Sequence, residues 1–593
     1  TDEVRARLVG IAITHTVGEG CYIPLTHGQP APMGGQKTLF DLVDTPPAAE
    51  PVQLDLPTVQ AELAPILQDP AITKYMHNAK FDMTVLERHG LPIAPPIFDT
   101  MIASWLGNNA EGARHGLKDL VKEKLHIQMT EISELIGKGK KQGTMDRVSI
   151  EKVTPYAAAD VDMTLRLVEH VKKPLEEVPA LMEIFQKLEL PLIFVLKDME
   201  LAGIRLDVDV LKQMSAQLQG RLAELEQEIH HQAGVSFNLN STQQLSDVLF
   251  GRLGLPTAGL KKTKSGHYST AAGVLESLRG QHPIIELMLE HRTVAKLLNT
   301  YVDALPSLVN PETGRIHTNY NQIGISTGRL SSSNPNLQNI PIRTEQGREI
   351  RRAFVAEAGH RLISADYSQV ELRILAHIAQ DEGLLNAFAN DEDIHASTAA
   401  AVLGIPIEQV DKYQRRIAKT VNFGLIYGQT AYGLARSTGM SREEARAFIE
   451  TYFEKYPGIR RYIEETKKKA LEQGYVETLL GRRRDFSGLG QLSGPRRNAA
   501  EREAINMPIQ GTAADIMKLA MINLHRRLRE EGYHSRILLQ VHDELVLEAP
   551  EAEVHPVAAL TREVMANAYR LRVPLKVDVE IGQNWLDMEK FSL

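Results

Sequence analysis

The stretch RILLQVHDELVLEA, Arg536 to Ala549, decides the fold of this 593-residue chain. ILLQV and ELVLEA are short apolar runs, and only His542 and Asp543 lie between them. Two such runs with a two-residue break read as a tight β-hairpin. An earlier run, RLISADYS (Arg361–Ser368), reads as a buried strand that ends on Asp366. A charge at the end of an apolar strand is costly unless something compensates it. Asp366 and Asp543 are therefore either salt-bridged to a buried Arg, bonded to a turn backbone, or shared ligands of a divalent ion. Mg²⁺ takes a few carboxylates plus substrate phosphates. Two such ions about 4 Å apart activate an attacking oxygen and stabilise a leaving one. Spacing along the chain leaves these readings open.

Outward from the hairpin, RRIAKTVNFGLIYG (Arg415–Gly428) is a helix with Arg415, Lys419, Phe423 and Tyr427 at steps of four. Successive members drift by about 40°, so all four share one broad face. Arg forks onto phosphate oxygens and Lys acts as a point charge, while an aromatic side chain stacks on a base or sugar. A nucleoside triphosphate matches that row end to end. The chain has no GxxxxGK[ST] loop and no GxGxxG. The plainer reading, a core helix with a basic first turn, is weakened because cations there oppose the helix dipole.

Length alone calls for three or more compact units. Residues 1–175 alternate strands (LVGIAIT, GCYIPL, AITKYM) with helical segments (PPIFDTMIASWL, TPYAAADVDMTLRLVEHV), an α/β pattern. From 176 to about 325 long helices dominate: Leu211, Met214, Leu218, Leu222, Leu225 and Ile229 recur at spacings of three and four. Residues 274–304 are again helical, and Ser241 supplies N-cap chemistry. Residues 369–480 are mostly helical.

Net charge is −8, but cations cluster in KKTK (Lys261–Lys264), at Arg348, Arg351 and Arg352, and at Lys467–Lys469 and Arg482–Arg484. One such run is a solvated face; several in one half of the chain point to a phosphate-tracking surface. Cys21 is the only cysteine, which excludes an internal disulfide and a thiolate cluster and fits a reducing cytosol. No apolar run reaches membrane-spanning length, and TDEVRARLVG is not a signal peptide.

Three segments, DYSQVELR (366–373), RRIAKTVNFGLIYG (415–428) and QVHDELVLEAP (540–550), closely resemble the polymerase motifs of family A DNA polymerases, the bacterial DNA polymerase I group. TGRLSSSNPNLQNIP (327–341) and EREAINMPIQGTAADIMK (501–518) resemble two further family segments, in the family's order. The resemblance covers essentially the whole chain. It implies a multidomain α/β and α+β fold: an RNase H-like 3′–5′ exonuclease-type domain (1–175), then a right-hand polymerase domain. In that division the thumb is 176–325, the palm 326–371 with 496–593, and the fingers 372–495. The whole corresponds to a Klenow-type large fragment.

The resemblance also implies roles. Asp366 and Asp543, with the carbonyl of Tyr367, hold two Mg²⁺ ions, for which Mn²⁺ substitutes; Glu544 is a supporting acid. Arg415 and Lys419 grip the dNTP triphosphate, with Lys419 a proton donor to pyrophosphate and His395 assisting. Phe423 packs on the incoming nucleotide, Tyr427 sits by the template base, Gln369 lines the nucleotide site, and Glu371 crowds the 2′ position against ribonucleotides. Without its motif Glu371 reads as an ordinary helix-surface residue. Arg329, Arg502, Asn506, Gln510 and His542 line the minor groove near the primer end, where hydrogen-bond acceptors are nearly the same in every correct pair. For each of these a satisfied core hydrogen bond is the alternative. Lys261, Lys262, Lys264 and Arg292 contact duplex phosphates from the thumb. The expected partners are primer–template DNA and dNTPs, with no membrane, and the expected state is a monomer in the bacterial cytoplasm, at the nucleoid.

Two departures stand out. HNAKFD supplies Asp82, and YAAAD supplies Tyr156 and Asp160, but the family's first exonuclease motif, an Asp-x-Glu on the opening strand, is not found on LVGIAIT. A site with half its carboxylates binds metal poorly, so weak or absent 3′–5′ proofreading is expected. KKTKSGHYST carries one more residue than the usual thumb loop, near His267. The competing readings are a single-subunit RNA polymerase, disfavoured by Glu371 and the proofreading-like domain, and an inactive primer–template binding protein. The intact Asp366, Asp543, Arg415 and Lys419 argue against the latter.

Overall fold

The computed structural model describes residues 2–28, 53–110, 112–139, 142–342 and 344–592. The expected hairpin forms: Arg536–Val541 pairs antiparallel with Glu544–Pro550, with His542 and Asp543 as the turn. His542 adopts φ 55, the left-handed geometry that lets so short a connection follow the strand twist. Glu544–Pro550 pairs in turn with His360–Tyr367, which pairs with Val577–Gly582, and Met588–Lys590 closes the five-stranded sheet.

Both sheet faces are covered, which explains the near-continuous apolar strands. Ile363, Ala365, Leu545, Leu547 and Val579 pack with the long helix Gly494–Glu530 and the helix Val554–Ala566. On the other face Leu362, Leu538 and Val546 pack against Ile350, Phe354 and the base of the helical projection. Side chains alternate along a strand, so Leu362, Ser364 and Asp366 share this second face. Asp366 sits where the apolar cover ends and is solvent-exposed.

The projection is built on the helices Val208–Ala233 and Pro283–Leu297. Leu211 and Leu218 cluster with Leu297 and Tyr301, whereas Ile229 and Ala233 cluster with Ile284 and Met288, so the two run antiparallel. Ser241 caps its helix by accepting from the Gln244 N–H at 3.3 Å, as its position suggests. The 274–304 segment is not one helix. It breaks at Gly280 (φ 77) and restarts at Pro283, whose missing N–H suits a first helical position. Residues 190–202, expected within the projection, form a helix that lies against the five-stranded sheet instead. Leu192, Val195, Leu196 and Met199 are buried with Ile363 and Leu545, because this helix is apolar nearly all round.

In the N-terminal region Gly10–Ile13 pairs antiparallel with Cys21–Pro24, and Lys74–Met76 pairs parallel with Ile97–Asp99. PPIFDTMIASWL is therefore not helical throughout: Ile97–Asp99 is a strand, and the helix Thr100–Gly107 follows it. Asp99 makes the switch. Its buried carboxylate accepts from the N–H groups of Met101 and Ile102, capping that helix, and from Ala79 (2.7 Å) and Asn78 at the start of the neighbouring helix Ala79–Arg88.

Beside this region, touching it through Trp105, lies a fully buried ionic cluster. Glu189 Oε1 accepts from Lys518 Nζ at 2.7 Å and from Arg482, and Arg482 Nε donates to Asp515 at 2.8 Å. Thr478 donates to the other Asp515 oxygen, and Trp105 lays its ring 5.4 Å from the Arg482 guanidinium. Burial works against the Glu189 charge, but Lys518 and Arg482 overcome it and hold the carboxyl down at about 2. Among the described residues no helix is long and apolar enough to cross a membrane.

Candidate active site

Sheet register brings the acids together. Asp366 lies directly opposite Glu544 on one neighbouring strand and Asp578 on the other. The hairpin turn is tied to the same strand end, because the Tyr367 N–H donates to the Asp543 carbonyl at 3.0 Å. Asp366, although reached by solvent, is pushed up to about 7 by the protein crowding it, then by Glu544, Asp543 and Asp578, with Arg351 opposing. Asp543 rises to about 6, from burial first and then Glu371, with Arg329 opposing. Among the described residues neither acid has the buried-Arg salt bridge that was one alternative for it.

Glu544 is held differently. Its Oε1 accepts from Ser364 Oγ at 2.6 Å and Trp585 Nε1 at 2.7 Å, and its Oε2 faces Arg351 at 3.5 Å. Arg351 in turn stacks on Trp585, 4.0 Å from the ring centroid. Glu544 is thus committed to the frame behind the cleft, while Asp366 and Asp543 keep oxygens free. Hard oxygen donors that repel one another, lack a structural cation and face solvent fit a divalent ion. Among the described residues no group of three or more His, Cys, Asp or Glu is arranged as a protein cage.

The row of four lies on the helix Lys412–Ile426. Asp411 starts it with a capping box, accepting from the Gln414 N–H at 2.7 Å while Gln414 reaches back at 3.0 Å. Arg415 and Lys419 are exposed, Phe423 and Tyr427 half-buried. Phe423 meets the ring of His395 at 5.7 Å between centroids. His395 is buried, and its pKa falls to about 4 through burial and then Arg415 and Lys419, against Asp393. The Asn422 amide donates to its Nδ1 at 3.1 Å, so Nε2 keeps the proton. His395 enters the site as a neutral donor rather than a third cation.

Tyr427 ends the helix, and its hydroxyl donates to one oxygen of Glu371 while Arg329 takes the other. Glu371 is 7 % exposed, so the surface-residue reading does not hold. Gln369 starts the helix Val370–Ala379 in the left-handed conformation (φ 54) and is partly exposed. Arg502, Asn506 and Gln510 line one face of Gly494–Glu530 at steps of four. Gln510 reaches the Tyr427 hydroxyl. The Arg502 side chain lies against Gly428, where a Cβ would come within 2.4 Å of Arg502 Cγ. Asn506 Oδ1 is buried without a hydrogen-bond partner. His542 is exposed at the turn, its pKa lowered by burial and by Arg329 and Arg351.

Away from this centre, Lys261, Lys262 and Lys264 are exposed at the far end of the projection, with Lys262 over the Tyr268 ring at 5.0 Å. Arg292 is half-buried and donates to the Thr270 carbonyl at 2.5 Å, so it also braces this loop. In the N-terminal region Asp82 is pushed up to about 7 and Asp160 to about 6. Crowding by protein leads in both, although the Asp82 side chain itself reaches solvent; Asp99 and Asp160 add to the rise of Asp82. Asp160 Oδ1 has no partner, and Lys118 lies 4.7 Å over the Tyr156 ring.

The sequence reading missed Asp578, Asp393, Asn422 and Lys118. Asp578 alternates with apolar residues in the strand Val577–Gly582, a signal open to view; the others carry no local mark.

The family described as DNA polymerase family A matches residues 208–587, and the 3′-5′ exonuclease family matches residues 1–176. The chain is 52% identical to DNA polymerase I of Chloroflexus aurantiacus over 595 residues, covering 100% of this chain and 60% of that protein. It is 45% identical to DNA polymerase I of Pseudomonas aeruginosa, over 98% of this chain and 62% of that one. Against the thermostable DNA polymerase I of Thermus aquaticus it is 50% identical, over 74% of this chain and 52% of the relative. The chain thus spans about 60% of the length of the first two relatives. Among solved structures, the POL domain of Pol1 from M. smegmatis, in complex with DNA primer-template and dNTP, superposes with a TM-score of 0.84 at 37% identity, covering 98% of this chain and 94% of that one. The chain belongs to DNA polymerase family A.

Proposed function

We propose that this chain is a DNA-templated DNA polymerase that extends a primer 3′-hydroxyl with dNTPs and releases pyrophosphate. The observation that carries the reading is the link from Tyr427 through Glu371 to Arg329. It anchors the end of the cation–aromatic row beside the turn that bears Asp543. Arg415 and Lys419 take the triphosphate, Nε2 of His395 donates to it, and Phe423 packs on the sugar and base. Lys419 is the group placed to protonate the departing pyrophosphate. Glu371, fixed by two partners, cannot swing away from a 2′-hydroxyl. The unpartnered Asn506 oxygen, with Arg329, Arg502, Gln510 and His542, suits a surface that tests pairing geometry.

Family A polymerases use divalent metal ions. In this chain Asp366 and Asp543, with the Tyr367 carbonyl, would hold two Mg²⁺ or Mn²⁺, which supply activation of the primer hydroxyl and neutralisation of phosphate charge. The exposed lysines of the KKTK loop suit duplex phosphates. The polymerase domains divide as thumb within 176–325, palm 326–371 and 496–593, and fingers 372–495. The protein works as a monomer in the bacterial cytoplasm, on DNA of the nucleoid.

Proofreading by this chain is weak or absent. The support is the state of the acids around Asp82: Asp160 is available, but Asp99 is consumed by four backbone N–H groups.

One primer-extension gel tests the whole reading, with a labelled primer on a longer template in Mg²⁺. Full extension with dNTPs, little with rNTPs, and an uncut mismatched primer end without nucleotide are the expected results. Shortening of the mismatched primer would overturn the proofreading statement. DNA binding without extension in any lane would make the chain a primer–template binding protein.

A further inference from the structure

Asp393 divides its carboxylate between two tasks. One oxygen accepts from the backbone N–H groups of His395 and Ala396, each at 3.0 Å, and so caps the helix Ile394–Leu403. The other receives Arg415 Nε at 2.7 Å. The two residues are 22 positions apart, and this is the one ion pair made by any member of the cation–aromatic row among the described residues. Arg415 is 44% exposed, so the guanidinium is free to leave. The capped oxygen is not: it holds the carboxylate in place whether Arg415 is present or absent.

We propose that Asp393 is a positioning residue for the nucleotide grip, a fixed anion that parks Arg415 between turnovers and takes it back as pyrophosphate departs. The proposal rests on the reading of Arg415 as a triphosphate contact. A carboxylate offers Arg one charge and, here, one free oxygen. A triphosphate offers several of each in the planar, forked geometry that a guanidinium prefers, so the incoming nucleotide wins the competition. Pyrophosphate wins by less, because it carries fewer oxygens and is no longer held by a base and sugar on Phe423. An anion fixed beside the grip subtracts the same pair-breaking cost from both ligands, and pyrophosphate, with the smaller margin, is the one that it releases. It also keeps the long Arg415 side chain pointed at the cleft, which reduces the ordering entropy lost on binding. Burial works against the charge on Asp393, but Arg415 and the two backbone donors outweigh it, so its carboxyl stays ionised.

The test uses the full chain and the variants Asp393→Asn, Asp393→Ser and Arg415→Ala. Asn and Ser both keep an oxygen that can cap the helix but remove the charge, so either one keeps the test open should the other fold poorly. Inhibition constants for inorganic pyrophosphate and tripolyphosphate are measured against primer extension in Mg²⁺, together with KM for dNTP. Both Asp393 variants are expected to bind the two inorganic anions about fivefold more tightly, the scale of one exposed charge pair, with a fall in KM no larger than that. Arg415→Ala is expected to weaken all three by at least about tenfold, and Asp393→Asn in that background to restore nothing. Unchanged or weaker anion inhibition in both Asp393 variants, with the Arg415→Ala effect intact, overturns the proposal. No effect of Arg415→Ala on any of the three overturns the reading of Arg415 itself, and the parking role with it.

Discussion

Tyr427 and Glu371 lie 56 positions apart and share one hydrogen bond, hydroxyl to carboxylate, across the joint between the helix Lys412–Ile426 and the palm. Glu371 holds Arg329 with its other oxygen, so one buried carboxylate fixes both a helix end and a partly exposed cation. The two partners make its removal more than a change of shape.

Glu371→Ala is expected to raise rNTP use relative to dNTP by at least tenfold, a change of about 1.4 kcal/mol in relative barrier. It is also expected to lower dNTP efficiency, because Tyr427 and Arg329 lose their common partner. Tyr427→Phe removes only the hydroxyl and should cost about 1 kcal/mol, seen as a few-fold loss in kcat/KM for dNTP. Single-nucleotide incorporation with each sugar reads both. An unchanged rNTP:dNTP ratio in Glu371→Ala would contradict the 2′-position role.

Asp543→Asn and Asp366→Asn test the paired acids at the sheet edge. Each should reduce extension by about a thousandfold or more, the scale of losing a group that stabilises transition-state charge. Primer–template affinity should change by no more than a few-fold, because each substitution removes a repelling carboxylate from a crowded site. Binding by fluorescence anisotropy next to extension rates separates the two effects.

Arg482 is 1% exposed and serves both Glu189 and Asp515. Arg482→Met leaves Asp515 with Thr478 and leaves Glu189 with Lys518 and the Gln322 amide. Breaking a buried ionic cluster on one side costs about 3–5 kcal/mol. The expected outcome is a clear fall in thermal midpoint, with faster hydrogen exchange at the junction of Phe185–Glu189, the hairpin formed by the paired strands Tyr475–Glu477 and Arg483–Asp485, and the helix carrying Trp105. A variant as stable as the parent would show that the cluster contributes specificity rather than stability.

His395 predicts a pH effect. Its folded pKa, about 4, lies below the usual 6.5, so the unfolded segment takes up a proton more readily than the folded one. The stability associated with a neutral His395 is complete above about pH 6.5 and is lost as pH falls from there toward 4. At pH 5 the loss is about 1–2 kcal/mol. Hydrogen exchange of Ile394–Leu403 at pH 7 and pH 5 reads it, and His395→Gln should flatten the difference. An equal pH response in that variant would assign the effect to another group.

The sequence by itself determined the local elements. The two-residue break at His542 and Asp543 made a hairpin because only a tight turn fits between two apolar strands. The step of four from Arg415 to Tyr427 made a single helix face, and Asp411 with Gln414 marked where it starts. The motifs around Asp366, Arg415 and Asp543 carried the family resemblance. Only the tertiary structure set Asp578 beside Asp366, closed Tyr427 onto Glu371, gave Arg415 to Asp393 and buried Arg482 between Glu189 and Asp515. It also moved residues 190–202 out of the helical projection and onto the five-stranded sheet. Periodicity and capping act over one or two turns of chain, so they can be read from neighbouring residues. These pairings join residues 22 to 293 positions apart. Sheet register and the packing of whole helices fix those pairings, and no short stretch of sequence carries them.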